Sequence, residues 1–518
     1  MIKHLFTAAL FLCTSALYAQ SKLSIENVYA AYLRNSGAIV ENNQIKGYFF
    51  LYQSDKIDKR TNEYTLQIVD ENLNKVHDIK FQDSKKLSLL EAAYNGNSLS
   101  FLFKNEDNKT LDMKVYDIDG KLKYTYSREY TKKTDDLMKR YETMHTDEGT
   151  NQNVFDLGEQ GYASVLPLRE GKTRTYEVDY YSSQTKKYWT YIPSDDEERF
   201  AQAEFLGATD KVIMLEVMKR KRMMSGEVTA HLVGIDIATK KKIFDLEGED
   251  EKFNLVPTNV IPLEGTDKIL VLGSYFDKTD NVMKDASKGL AVYEIDGKGT
   301  VLSKTYNSWS LDFAKYLPTS TKGKLDKVGF LYIHKLIRTN EGKIFAVGEG
   351  YKRQANAAGI AFTALAAASG GSSAGGVTKI VTTDMVVMEF NDKYKVTNAE
   401  IYDKNNNTAE VMLSDFNSQH AIALLLKANG SFDYEFTTSD AEHKTFSICY
   451  TDWVKSADYK GKTFNTLRYN GSKFTKDKIE LKSKASKMQV LPAKAGSVMI
   501  LEYFKKDKRL ESRLEKIG

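Results

Sequence analysis

Cysteine and proline are scarce in this chain, with two of the former and six of the latter among 518 residues. Cys13 lies inside an N-terminal segment that reads as removable, so a mature chain keeps only Cys449 and forms no internal disulfide. It must hold together by packing. An excess of one charge sign is also missing: 74 Lys and Arg stand against 70 Asp and Glu. Nucleic acid as the main partner would leave a strongly basic footprint, and there is none. No apolar run beyond the N-terminus is long enough to cross a bilayer as a helix.

That N-terminus, MIKHLFTAALFLCTSALYAQ, has a basic start at Lys3 and His4, an apolar stretch from Leu5 to Leu17 and a small-residue site at Ala19–Gln20. This is the layout of a secretory signal peptide, residues 1–19, and predicts an exported, periplasmic or extracellular protein starting near Gln20. Phe11 and Leu12 precede Cys13 where a lipid-bearing cysteine would follow small residues. A lipid anchor is therefore not expected.

Aromatics are plentiful, with 31 Tyr and 25 Phe, and suit strands. A single core rarely grows to this size, so the chain is either several domains or one repeat architecture. A repeat is present. Compact apolar runs recur: GYFFLYQ from Gly47, SLSFLFK from Ser98, GYASVLPL from Gly161, KVIMLEV from Lys211, KILVLGSYF from Lys268, KIFAVGEG from Lys343, HAIALLLK from His420 and SVMILEYF from Ser497. Each is followed by a second, more alternating strand such as VTAHLVGIDI or KGLAVYEI, and then by a tight turn such as DIDGK (Asp117–Lys121), EIDGKG (Glu294–Gly299) or YNGSK (Tyr469–Lys473). The near-continuous run predicts a strand buried on both faces, the alternating one a half-buried strand, and the polar last strand an outer edge.

With the stretch before each run, the unit has about four strands. Four-stranded sheets repeated radially predict an all-β β-propeller filling residues 20–518, with eight blades, seven being the alternative. A two-domain β-sandwich is the competing architecture. The last unit lacks an outer strand, and IENVYAAY (Ile25–Tyr32) is expected to supply it from the N-terminus. The texture resembles bacterial secreted β-propeller repeat proteins, without any family signature: there is no tryptophan-docking motif, blade-end WD dipeptide or Asp box.

Working residues are expected on the face where loop length varies. Four segments vary most: Thr131–Asn153, Ser308–Val328, Tyr351–Lys379 and Ser431–Lys462. The second predicts a short amphipathic helix through Trp309, Leu311, Phe313 and Leu317. The third holds an Ala/Gly/Ser-rich insertion spanning 351–379. The basic run MKRKRMM (Met218–Met224) is a candidate anion contact. Candidate partner-contacting residues are thus Arg220, Lys221, Arg222, Trp309, Phe313 and Phe362.

No local motif carries chemistry. Seven histidines show no metal-ligand spacing, and His231, His334 and His420 read as packed strand residues. GSSAG (Gly371–Gly375) lacks the strand and helix a nucleophile elbow at Ser373 needs. DKNNNT places Asp403, Asn405 and Asn407 at calcium-loop spacing, but Thr408 and Ser414 stand where glycine and glutamate belong. Asp135–Asp136 and Asp195–Glu198 are sequence neighbours with no defined separation. Cys449 in TFSICYTD reads as a buried strand residue. No cofactor or metal is predicted. The expectation is a monomeric binding or scaffolding module with a protein or glycan partner. The alternatives are a glycan-directed hydrolase or lyase with its site in a central channel, or a structural component of a cell-envelope assembly.

Overall fold

The computed structural model describes residues 21–41, 43–136, 138, 152–194, 198–223, 225–248, 252–355, 378–409 and 419–517. The described chain is an all-β β-propeller of eight blades, each an antiparallel sheet of four or five strands. It divides into two compact units, 1–85 with 483–518, and 86–482.

The first unit holds two blades. In one, Gln44–Lys56 pairs with Thr61–Asp70, which pairs with Lys75–Ser84, while Ala30–Ala31 and Gly37–Glu41 share the free edge of Gln44–Lys56. In the other, Lys487–Pro492, Ser497–Phe504 and Arg509–Lys516 are completed by Lys22–Ile25, which runs antiparallel along Arg509–Lys516. The N-terminal strand that does this lies just upstream of Ile25–Tyr32. Tyr503, buried, locks the following turn by donating to the carbonyls of Val28 (3.1 Å) and Tyr29 (3.0 Å).

The second unit holds six blades. Their strands are Leu87–Glu129, Val154–Tyr191, Ala201–Glu247, Phe253–Ser308, Phe330–Tyr402 and Tyr434–Glu480, and they are called here the second to seventh blades. Burial follows the sequence pattern. Ser98–Asn105, an apolar run, is buried at every position, whereas the outer strand Leu122–Glu129 is mostly exposed. The turn residues behave as their chemistry requires: Gly120, Gly299 and Gly471 sit at φ 79°, 86° and 96°. The carboxylates of Asp117 and Asp296 accept backbone N–H bonds from Lys121 (2.7 Å) and Thr300 (2.8 Å).

One apolar run is not a strand. HAIALLLK lies in an α-helix, Gln419–Ala428, between the sixth and seventh blades. Leu and Ala are strong helix formers, and Ile422 is the run's single β-branched residue. Ile422, Ala423 and Leu426 bury the face that packs on Tyr351, Ile380 and Phe432. Gly430, at φ 56°, ends the helix in a Schellman cap, with Ser431 N–H donating to Leu426 O (2.9 Å) and Gly430 N–H to Lys427 O (3.0 Å). The seventh blade is built instead from Tyr434–Ser439, Phe446–Lys455, Lys460–Tyr469 and Phe474–Glu480. Ser431–Lys462 is therefore blade, not an interrupting loop, and it carries Cys449 on a central strand.

The expected amphipathic helix in Ser308–Val328 is a single 3-10 turn, Phe313–Lys315. Pro318 denies any longer helix its backbone donor. Trp309, Phe313 and Leu317 are spaced four apart and all enter the core, while Leu311, off that spacing, is 72% exposed.

Candidate functional site

Three clusters of buried charge lie where neighbouring blades of the second unit meet. Arg128, on the outer strand of the second blade, donates to Asp179 (Nε to Oδ2, 2.9 Å) and to Glu177 on the third. Asp179 also accepts from Thr190 (2.6 Å) and Tyr188 (3.2 Å). Burial, partly offset by Arg128, pushes the Glu177 carboxyl up to about 7. Glu198 accepts from Lys242 (2.9 Å) and from the Tyr176 hydroxyl (3.0 Å), while Lys219 and His231 converge on Asp245 (2.7 and 2.8 Å).

The third cluster joins the sixth and seventh blades. Glu349, fully buried, takes backbone N–H bonds from Asp433 and Tyr434 (3.1 Å each), a contact from His334 Nε2 (3.2 Å) and an ion pair with Lys404 (3.3 Å). Burial opposes its charge, but Lys404 and His334 together hold the carboxyl below the usual carboxylate range. Lys404 also pairs with Asp433, which accepts from Thr382 (2.8 Å) and Asn407 (2.9 Å). Asn405, from the same DKNNNT segment, donates to Asp452 (3.0 Å). The segment's amides thus serve neighbouring carboxylates. Among the described residues no group of three or more His, Cys, Asp or Glu is placed to hold a metal ion.

A cavity of different character opens on the fourth to sixth blades, with an empty volume, open solvent included, of about 940 Å³. Its lining includes Glu204 from the first strand of the fourth blade, Ala201–Ala208, and Glu216 from the next strand, Val212–Arg220. The two are directly opposed in the antiparallel register. The helix Gln419–Ala428 contributes His420 and Lys427, and the strand Phe330–Arg338 contributes Tyr332. The helix is tied down where Tyr351 OH donates to Gln419 O (3.0 Å). Apolar walls come from Phe276, Leu290, Trp309 and Phe330. Trp309 Nε1 donates to Ser287 Oγ (3.1 Å), and its indole lies so close to Gly323 (φ 68°) that a Cβ there would sit 2.4 Å from the ring nitrogen.

The polar end of this cavity is incompletely satisfied. Lys427 is ion-paired to Glu204. Glu216 is 5% exposed, and among the described residues its Oε1 has no hydrogen-bond partner. Burial, then the facing Glu204, push the Glu216 carboxyl up to about 8, Lys427 acting the other way. It therefore carries a proton at neutral pH. His420 Nε2 is likewise buried without a partner among the described residues, and burial pushes that imidazole down to about 4, so it is neutral. Desolvation also raises the Tyr332 hydroxyl.

Of the residues expected from sequence to contact a partner, the structure places Trp309 (4% exposed) and Phe313 (0%) in the core. Aromatic side chains with helical spacing in a loop were core anchors, and only Trp309 touches the cavity. Lys221 and Arg222 are exposed at the turn after Val212–Arg220, with Arg220 half-buried. Phe362, most of the 351–379 insertion, Met224 and the N-terminal segment with Cys13 lie outside the described residues. His231 and His334 are strand residues, but hydrogen-bonded to carboxylates. His420 is on the helix. Cys449 is buried, and burial pushes its thiol up to about 12. Glu204, Glu216 and Lys427 escaped sequence reasoning. The available signal was a lone charge in the otherwise apolar VIMLEVM.

Among the described residues no helix is long and apolar enough to cross a membrane. No curated protein matches the sequence. Solved structures similar in fold include prolyl oligopeptidase B from Galerina marginata, bound to a 35mer hydrolysis and macrocyclization substrate (9% identity, TM-score 0.40, covering 92% of this chain and 57% of that one). A post-proline cleaving enzyme from Rickettsia typhi (8%, TM-score 0.37, 93% and 58%) and cobalt-substituted Synechocystis ACO (7%, TM-score 0.28, 52% and 60%) are similar more weakly. The chain spans less than two thirds of the length of each. A sequence profile matches throughout, over residues 1–518, and the chain belongs to that family, the family of unknown function DUF6770.

Proposed function

We propose that this propeller is an exported ligand-binding module whose site is the cavity lined by Glu204, Glu216, Tyr332, His420 and Lys427. The observation that carries this reading is Glu216 Oε1, buried in a cavity wall without a partner among the described residues. A buried polar atom left unsatisfied costs about 1–3 kcal/mol. A ligand that supplies the missing contact recovers that cost. The remaining walls are largely apolar and aromatic, with Asp285 and Lys322 among them, as in pockets for small molecules. Trp309, Lys322 and Gly323 lie on an inter-blade link, Asp285–Ser287 on a loop between second and third strands, and His420 on another inter-blade link. These are the connections whose length varies. Export is supported by the layout of residues 1–19.

The carboxyl pair is also what the hydrolase alternative would use, with protonated Glu216 as acid and Glu204 as base. Lys427 already engages Glu204, which removes the base, and binding is the preferred reading. Turnover of a polysaccharide, lost in Glu216→Gln, would reverse that preference.

The test is a thermal-shift screen of small polar compounds on wild type and on Ala286→Trp. Ala286 is a half-buried loop residue lining the cavity, so the indole fills space without entering a sheet. A ligand at a hundred times its Kd stabilises by about 2.7 kcal/mol. Compounds that raise Tm in wild type should fail to do so in the variant. Hits that act equally on both place binding elsewhere and overturn the assignment.

A further inference from the structure

The charges around Glu216 do not balance. Glu204 faces it from the paired strand, Lys427 and His420 from the helix, and Tyr332 from the first strand of the sixth blade. His420 is neutral, Tyr332 is un-ionised, and Lys427 is committed to Glu204. Elsewhere in the lining Asp285 and Lys322 supply one charge of each sign. Two carboxyl groups therefore share a single ammonium. The antiparallel ladder fixes them in opposition, where like charges repel. Neither strand can relax away without breaking the register from Ala201 with Lys219 to Ala208 with Ile213. With both carboxyls ionised, the cluster would be short of one positive charge.

We infer that the cavity takes a small organic cation, an ammonium or guanidinium group on an apolar body, with its charge received by Glu216 and Glu204 and its body by the aromatic wall. The inference rests on the reading of the cavity as a binding site and specifies its ligand class. An anion would have to draw Lys427 away from Glu204 and leave that carboxylate unpaired beside it. A neutral polyol could satisfy Glu216 Oε1 but would leave the aromatic surface of Phe276, Phe330 and Trp309 unused. Aromatic faces attract cations and also cover alkyl or aryl groups. In the empty site a proton on Glu216 supplies the missing charge. Binding of the cation then releases that proton to solvent, one for one.

The experiment is isothermal titration calorimetry with phenethylamine and with its uncharged counterpart phenethyl alcohol. The amine stays largely protonated up to about pH 8.5, as alkylamines titrate near 10. Because Glu216 must lose its proton, the amine should bind roughly twentyfold more tightly at about pH 8.5 than at about pH 6.5. The alcohol should bind more weakly, with no such rise. Repeating the titration in buffers of different ionisation enthalpy should show close to one proton released per amine bound at the lower pH. Glu216→Gln, which keeps the shape and removes the ionisable group, should weaken the amine at least about tenfold and abolish the pH dependence. Its Tm reports whether the variant folds.

If the alcohol binds as well as the amine, or amine affinity falls with pH, the cation inference is overturned while the cavity remains a site. It is overturned in the same way if phenethylamine does not bind but neutral compounds give shifts abolished by Ala286→Trp. If no compound gives a shift sensitive to Ala286→Trp, the binding reading itself fails, and this inference with it.

Discussion

Two charge clusters in the same unit, the buried Glu349–Lys404–Asp433 and Glu204–Glu216–Lys427, of which only Glu216 is buried, use the same residue types to opposite ends. In the first, four donors converge on Glu349, and Lys404, whose side chain is fully buried, bridges two carboxylates. In the second, the lysine pairs with Glu204, and among the described residues Glu216 Oε1 and His420 Nε2 are left without partners. The first closes a seam between blades. The second faces a cavity. Buried polar networks that are fully satisfied rigidify a structure, whereas partly satisfied ones carry an uncompensated cost. The contrast therefore separates glue from site without any motif.

The largest effect should come from breaking the satisfied cluster. Lys404→Ala leaves Glu349 and Asp433 buried with no cation between them. Removing one partner of such a pair costs about 3–5 kcal/mol. Urea unfolding should show a clear drop in midpoint for the variant. A change below about 1 kcal/mol would mean that water reaches the seam, and that the two clusters differ less than their geometry says.

An effect of comparable size near pH 8 but absent in acid, a distinctive pH signature, belongs to Glu216. Its carboxyl is held up to about 8 in the folded chain, against the ordinary value near 4.3 when unfolded. Between those values the folded state keeps a proton that the unfolded state has lost. Stability from this group is therefore present at low pH and falls as pH rises towards 8, by about 1.4 kcal/mol per pH unit at most. Above that it is flat. Glu177, pushed up to about 7, contributes a slope of the same sign, so the measurement is the difference between wild type and Glu216→Gln. The variant should be as stable as wild type at about pH 4 and more stable near pH 8. Parallel Tm-against-pH curves would place Glu216 in an ordinary hydrogen-bonded environment and erase the contrast.

The sequence made the blades readable because their chemistry is local. A strand buried on both faces must be apolar throughout, and its turn must tolerate positive φ, as Asp117–Lys121 does. HAIALLLK misled because a short apolar run is compatible with strand or helix, and its true strand counterpart, Phe446–Lys455, is diluted by Thr451 and Asp452. The site was not readable as a site, since residues 204, 216, 332, 420 and 427 meet only through the register of two strands and the docking of one helix. A partial sign was nevertheless present. Lys104, Glu216, Glu349 and Glu502 each interrupt an apolar central strand, and each is buried. Lys104 pairs with Asp135, Glu349 with Lys404 and Glu502 with Arg513. A lone charge in such a strand identifies a buried ionic group. Only the three-dimensional partners tell which of the four remains unsatisfied.

The smallest expected effect, and the sharpest internal control, comes from two histidines. His334 sits in the satisfied cluster, its Nε2 3.2 Å from Glu349 Oε2, stacked on Tyr434 with ring centroids 4.6 Å apart. His420 sits at the cavity with Nε2 buried and unpartnered. Phenylalanine keeps the ring of each and removes its nitrogens. At His334 the change takes a donor from a buried carboxylate, which costs about 1–3 kcal/mol. At His420 it removes an atom that has no partner, so at neutral pH stability should be unchanged or slightly higher. Acid pH separates them further. His420, held down to about 4, stays neutral where an unfolded histidine, titrating near 6.5, takes up a proton. Its contribution is thus present above about pH 6.5 and is lost as pH falls towards 4, and His420→Phe should flatten that part of the stability curve. Equal losses in the two variants at neutral pH would show that His420 is engaged in the folded chain, and the cavity would then lose one of the two unsatisfied groups that distinguish it from the seam.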